Sequence, residues 1–229
     1  MNQLKMLVAD LAGTTVHDPG GVAGCLIAAL AEAGHSVDFK AVDNVMGIPK
    51  PVAIKMLLGE SSSQEDVVAI HADFRSRMIR YYEVEPAIKE IPGTAEAFEE
   101  LRRMGLRICL DTGFDRETTE ALLKRMPWGG LIDGSVTSDE VANGRPYPDL
   151  IHALATRFEL PTSEIVKIGD TPSDLQEGHA AGVALNIGVT SGAHSRAELS
   201  IWPHSAILDS IAELPGFLRE HQGQTQSGE

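Results

Sequence analysis

Two acids in this chain close apolar runs, a place where packing alone gives no reason for a carboxylate. Asp10 ends "LKMLVAD" and is followed at once by Leu11-Ala12-Gly13-Thr14-Thr15. Asp170 ends "EIVKIGD", and Asp174 follows four residues later within "GDTPSD". A third apolar run, "LRICLDTG", ends in Thr112-Gly113, and "NGRPYP" offers Arg145 between these two. A carboxylate can attack phosphorus and form an acyl phosphate that water then cleaves. Two anions repel, so such a site needs a cation. Mg²⁺ prefers oxygen ligands, keeps several waters and takes only one or two carboxylates. Asp10 and Asp170 suit that role, the Ala12 carbonyl offers a third ligand, and Asp174 is placed to hold a water of the metal. The Thr112 hydroxyl, the Gly113 amide and Arg145 would then hold the phosphoryl oxygens, whose charge must be stabilised during transfer. Arg145 brings a permanent charge and a fork of donors.

Each piece alone has a plainer reading. A strand-end Asp often caps a helix or forms a turn, "GDTPSD" reads as a capped helix start, and Arg145 beside Pro146 reads as a surface residue. Their order, and their place at the ends of successive apolar runs, sets them apart.

The elements that must position them alternate. From residue 93 onward the chain reads helix "TAEAFEELRRMG", strand "LRICLDTG", helix "DRETTEALLKRM", strand "GSVTSDEV", helix "PYPDLIHALATRFEL", strand "EIVKIGD", helix "TPSDLQEGHAAG" and strand "VALNIGV". A final helix, "DSIAELPGFLREH", precedes the polar tail "QGQTQSGE", which is expected to fray. Such alternation means βαβ units and a parallel sheet, whose ligands sit outside the carboxyl ends of the strands. Residues 19–86 show no convincing strand. "GVAGCLIAALAEAG", "DFKAVDNVMGIPKPVAIKMLLGE" and "SQEDVVAIHADFRSRMIRYYE" carry helical spacing, with Pro49 and Pro51 expected to keep Lys50 in a loop. The reading is an α/β chain with a doubly wound parallel-sheet core, residues 1–18 and 87–229, and an all-helical insertion after the first strand, residues 19–86.

The bulk numbers bound the partners. The chain has 229 residues, a formal net charge of −14 and no Lys/Arg cluster suited to a phosphate backbone, so nucleic acid is not expected. An anionic substrate then needs a local positive site. Cys25 and Cys109 stand in apolar surroundings without a Cys-x-x-Cys pair and read as core. No apolar run reaches the ~20 residues of a membrane span, and no signal peptide is evident. The expectation is a cytoplasmic protein without a membrane partner. The apolar helix "GVAGCLIAALAEAG" suits either a homodimer contact or packing within the insertion.

Together these motifs resemble the haloacid dehalogenase superfamily of phosphotransferases. "DLAGTT" is similar to its first motif, "DTG" around Thr112 to its second, Arg145 to the basic third and "GDTPSD" to the fourth. The helical insertion is similar to that superfamily's cap over a Rossmann-like core. Most of its phosphatases carry a second Asp where this chain has Ala12. An alanine there resembles phosphonoacetaldehyde hydrolase, or phosphonatase, which cleaves a carbon–phosphorus bond with a cap lysine that forms a Schiff base. "MGIPKP" is similar to that family's cap loop and puts Lys50 on the Schiff-base position, with Met46 as a substrate contact, and "GRPYP" is similar to its third motif.

The resemblance implies a Mg²⁺-dependent hydrolase acting on a small phosphonate through an aspartyl phosphate at Asp10. The alternative is a phosphatase for a small phosphate ester or anhydride with a good leaving group, where Lys50 only binds. The two oddities belong together. An oxygen leaving group wants a proton, which an acid near the nucleophile supplies. A carbon leaving group needs an electron sink, which a lysine iminium supplies. The chain departs from phosphonatases at Ala53, where they place a histidine three residues after the lysine. His71 lies on another helix and reads as surface or core, and His17 as exposed.

Overall fold

The core strands are short and apolar nearly throughout, the pattern of parallel strands covered on both faces. The computed structural model describes residues 3–59 and 62–226. The chain starts with β1 (Met6–Asp10) and a short β2 (Val16–His17), then runs through α1 (Gly21–Glu32), α2 (Phe39–Asp43), α3 (Lys50–Leu58) and α4 (Gln64–Val84). It returns through β3 (Lys89–Glu90) and α5 (Thr94–Arg103) to β4 (Arg107–Thr112), α6 (Arg116–Leu123), β5 (Gly134–Thr137) and α7 (Asp149–Arg157). The last third holds β6 (Ile165–Gly169), α8 (Pro172–Ala181), β7 (Leu185–Val189), α9 (Arg196–Leu199), β8 (Ala206–Leu208) and α10 (Leu214–Gln226).

Among the described residues, six strands form one sheet in the order β5-β4-β1-β6-β7-β8, every pairing parallel. β1 is central. The chain adds β4 on one side of it and β6 on the other, so the strand order reverses at β1 and opens a crevice at its carboxyl end. Alternation sorts the side chains. Leu7 and Ala9 of β1 join Phe98, Leu101, Leu214 and Leu218 on one face, and Met6 and Val8 join Leu150, Ile151 and Leu154 on the other.

The helical segment packs on itself and onto the first of these faces. Val22, Leu26 and Leu30 of α1 share a continuous core with Ile70, Phe74 and Met78 of α4, so the apolar stripe of α1 is used inside the segment. Ser63 starts α4 with a capping box: its hydroxyl accepts from the Asp66 amide at 3.0 Å, and the Asp66 carboxylate accepts from the Ser63 amide at 3.1 Å, which satisfies two otherwise unpaired amides at the helix start.

The sequence reading does not anticipate α9 or β8, and four further details differ from it. Lys50 is not in a loop but is the first residue of α3, with Pro51 in the first turn, where a missing N–H costs nothing and the fixed φ favours the helix. The segment is framed by an antiparallel ribbon, β2 on β3, pairing Val16 with Glu90 and His17 with Lys89; two residues per strand are too few to show a period. The expected C-terminal helix is split into a 3₁₀ turn at Ile211–Glu213 and α10. α10 continues to Gln226, into the stretch expected to fray, and residues 227–229 lie outside the described residues. Among the described residues no helix is long and apolar enough to cross a membrane.

Candidate active site

Three loops meet at the carboxyl ends of β1, β4 and β6, and small residues let them meet closely. Gly13 holds φ +92°, and a Cβ there would lie 2.4 Å from Asp170 Oδ2. Glycine alone suits both demands. The turn after Asp10 is then tied on both sides: the Thr15 hydroxyl donates to the Asp10 carbonyl at 2.8 Å and the Thr14 hydroxyl to Asp170 Oδ1 at 2.9 Å. The Ala193 amide donates to Asp170 Oδ2 at 2.8 Å. Thr171 caps α8, and its hydroxyl donates to Asp174 Oδ2 at 2.6 Å.

Asp10, Asp170 and Asp174 are buried, with carboxylate oxygens that all lie within 4.8 Å of one another. Burial pushes the Asp10 carboxyl up to about 7; Arg145 opposes that rise, and Asp174 and Asp170 add to it. Asp170 is pushed up to about 6, again by burial first and by Asp174 next. Such an excess of buried negative charge with oxygen donors suits a small divalent cation, and Mg²⁺ fits this donor set. Asp10, Asp170 and the Ala12 carbonyl are the groups that would hold it.

The Arg145 guanidinium is 3% exposed, and each of its nitrogens is engaged. Nη1 reaches Asp10 Oδ1 at 2.6 Å and Asp174 Oδ1 at 2.9 Å, Nη2 donates to the Asp111 carbonyl at 3.0 Å, and Nε donates to Glu177 Oε2 at 3.1 Å. Thr112 is buried at the end of β4, and Gly113 follows it.

The helical segment delivers Lys50 from the opposite side. Gly47, with φ +81°, brings the loop so close to α8 that a Cβ would stand 2.4 Å from the Thr171 hydroxyl. The Gly47 and Ile48 carbonyls lie 3.4 Å from where a Gly113 Cβ would be. Seated on these two core loops, the chain turns into α3 and buries Lys50 to 4% exposure. Its Nζ donates to the Ile48 carbonyl at 3.3 Å. Burial lowers the ammonium pKa to about 8, with Asp10 opposing the shift and Arg145 assisting it. The fraction of free amine at neutral pH is thereby raised.

Of the residues singled out from the sequence, Asp10, Ala12, Met46, Lys50, Thr112, Gly113, Arg145 and Asp170 all line one cavity of about 330 Å³. Asp174 does not line it but is fully buried beside Arg145. Met46 also packs against the apolar core, so its two readings coexist. His17 is exposed, yet it reaches the cavity rim together with Asp18 and Asp43. His71 is half-buried with its ring stacked on Phe74 at 6.4 Å, and burial lowers its pKa.

Sequence reasoning missed Asp111, Lys167 and Glu177, all fully buried around Arg145. Signals existed. Lys167 is a cation inside the apolar run "EIVKIGD", Asp111 stands before Thr112 in the same strand, and Glu177 follows Asp174 at a helical spacing of three.

Comparisons with known proteins identify the family. The family of haloacid dehalogenase-like hydrolases matches residues 4–182. Phosphonoacetaldehyde hydrolase of Bacteroides fragilis is 30% identical over 235 aligned positions, covering 93% of this chain and 88% of the relative. A probable phosphatase of Dickeya dadantii, IndB, is 26% identical over 92% of both chains. The crystal structure of a phosphonoacetaldehyde hydrolase like protein from Oleispira antarctica superposes with a TM-score of 0.86 at 22% identity, covering 100% of this chain and 96% of the other.

Proposed function

Because the chain belongs to the haloacid dehalogenase-like hydrolases, we propose that it moves the phosphoryl group of phosphonoacetaldehyde, or a close phosphonate aldehyde, to Asp10 and then to water, with Lys50 as the electron sink. Residues 19–86 act as a cap that closes Lys50 over the core, residues 1–18 and 87–229. The observation that carries this reading is a buried amine with a lowered pKa, Lys50, in the same cavity as a nucleophile whose neighbour two places on is Ala12 rather than an acid.

The neutral Lys50 amine adds to the aldehyde carbon, and loss of water leaves an iminium. The Asp10 carboxylate attacks phosphorus as the carbon–phosphorus bond breaks. The bond pair passes into the iminium and leaves an enamine on Lys50, so no acid is needed at position 12. Water then cleaves the aspartyl phosphate, and protonation and hydrolysis of the enamine release the aldehyde and restore the amine. Arg145, the Thr112 hydroxyl and the Gly113 amide hold the phosphoryl oxygens throughout. Mg²⁺ would supply the positive charge that lets two anions approach. Asp18 and Asp43 at the rim favour a substrate whose far end carries no second anion.

A second reading has its own support. Ala53 is 0% exposed inside α3, where phosphonatases have an imidazole, so the position serves packing. A phosphatase acting on a good leaving group needs neither that imidazole nor an imine, and Lys50 would then only bind. Borohydride added with phosphonoacetaldehyde separates the two. A mass increase localised to Lys50 supports the imine route. Full turnover with an unmodified Lys50 sinks it.

A further inference from the structure

Behind the catalytic face lies a charged cluster that the scheme above does not use. Lys167 is 0% exposed in the middle of β6, between apolar neighbours. Its Nζ reaches Asp111 Oδ1 at 2.5 Å, Asp174 Oδ1 at 3.0 Å and Glu177 Oε2 at 3.4 Å. Arg145 uses the same three oxygens: Asp111 Oδ1 at 2.5 Å, Asp174 Oδ1 at 2.9 Å and Glu177 Oε2 at 3.1 Å. Two basic groups from different segments thus grip one triad of acidic oxygens. The triad comes from β4, just before Thr112, and from two turns of α8, just after Asp170. Those three carboxylates alone have the spacing of a cation site, and the two basic side chains occupy it.

Burial, with the Asp111 charge next in size, pushes the Glu177 carboxyl well above the ordinary range. Burial raises Asp111 as well, but Arg145 and Lys167 outweigh it and bring it down to about 2. Taking Lys167 away would leave Arg145 as the one cation reaching the buried carboxyl groups of Asp111, Asp174 and Glu177, a costly state, and Arg145 would be drawn deeper into the cluster and away from Asp10.

We propose that Lys167 is a positioning residue for phosphoryl transfer: by sharing Asp111, Asp174 and Glu177 with Arg145, it keeps the guanidinium forward, against Asp10 and the phosphoryl site. The proposal rests on Asp10 being the phosphoryl acceptor but not on the imine at Lys50. A hydrophobic residue on β6 would pack the sheet as well as Lys167 does, so the lysine is there for the charge it brings to Arg145.

The test is Lys167→Met in the full chain, read by magnesium-dependent binding of inorganic vanadate, a phosphoryl mimic that needs no particular carbon substrate. Vanadate affinity should fall at least about tenfold, since a small misplacement of such a group is costly. Adding Lys167→Met to Arg145→Lys should weaken binding less than threefold further, because the lysine acts through the arginine. An equal loss in both backgrounds would mark a general structural role and overturn the proposal. Lys167→Arg should restore at least half of the lost affinity. Should Lys167→Met fold poorly, Lys167→Gln removes the charge while keeping a hydrogen-bond donor beside Asp111, and its crystal structure reports the outcome directly. Arg145 Nη1 displaced from Asp10 supports the assignment, and Nη1 still at its present 2.6 Å overturns it. A failed borohydride trap at Lys50 would leave every one of these readings intact.

Discussion

The two walls of the cavity are built differently. The core wall presents Asp10, Arg145 and Asp170, each buried and each tied by hydrogen bonds or ion pairs to groups from other segments of the chain. The wall from the helical segment presents one amine, Lys50, which donates to the Ile48 carbonyl, two residues back, at 3.3 Å. Under the proposed mechanism, the groups assigned a fixed charge pattern around phosphorus are the cross-braced ones, and the group assigned a change of covalent state has the fewest ties. The proposal therefore assigns the reaction at phosphorus to the core and the choice of leaving group to the helical segment.

This division makes graded predictions. Asp10→Asn breaks both halves at once: turnover of any phosphoryl substrate should fall by at least about 10⁴-fold, measured as phosphate release, as for loss of a nucleophile. Lys50→Arg keeps the charge and removes the amine. Phosphonoacetaldehyde turnover should fall about 10³-fold, the effect of removing an essential covalent group, and aryl phosphate turnover should change less than threefold. An equal loss on both substrates would erase the distinction between the walls.

The pH dependence sharpens it. The folded Lys50 pKa lies at about 8, and the reactive amine is the form above it. The ratio of carbon–phosphorus cleavage to aryl phosphate turnover, in which the Asp10 titration common to both cancels, should rise about fiftyfold from pH 6 to pH 8, following the free-amine fraction, and level off above pH 9. Gly47→Ala is the mildest probe. It puts a methyl on a residue at φ +81°, against the Thr171 hydroxyl, and should lower phosphonate turnover about tenfold by misplacing Lys50, with the thermal unfolding midpoint also lowered because alanine is strained at that φ.

The same division explains what was legible in the sequence. Asp10, Thr112 and Asp170 end apolar runs, so topology alone brings them together, and Arg145 follows from the order of the motifs. Lys50 needed a resemblance, because nothing in "MGIPKP" says that a loop on a helical segment lands on Gly113 and Thr171. Lys167 and Glu177 were hidden for another reason. A single lysine hardly alters the apolar look of "EIVKIGD", and its partners come from other elements, Asp111 on β4 and Asp174 and Glu177 on α8. Long-range charge pairing leaves no period to read. The β2/β3 ribbon was missed because two-residue strands alternate too briefly.

That ribbon has a consequence beyond the site. The outgoing and returning chains cross between sheet and helices side by side, paired at Val16–Glu90 and His17–Lys89, about one strand spacing of 4.8 Å apart. The helical segment thus leaves and rejoins the core on one two-ply stem, so an insert whose ends meet at that spacing would fit between Asp18 and Ala87, provided that it also covers the apolar surface that α1 and α4 share with the core.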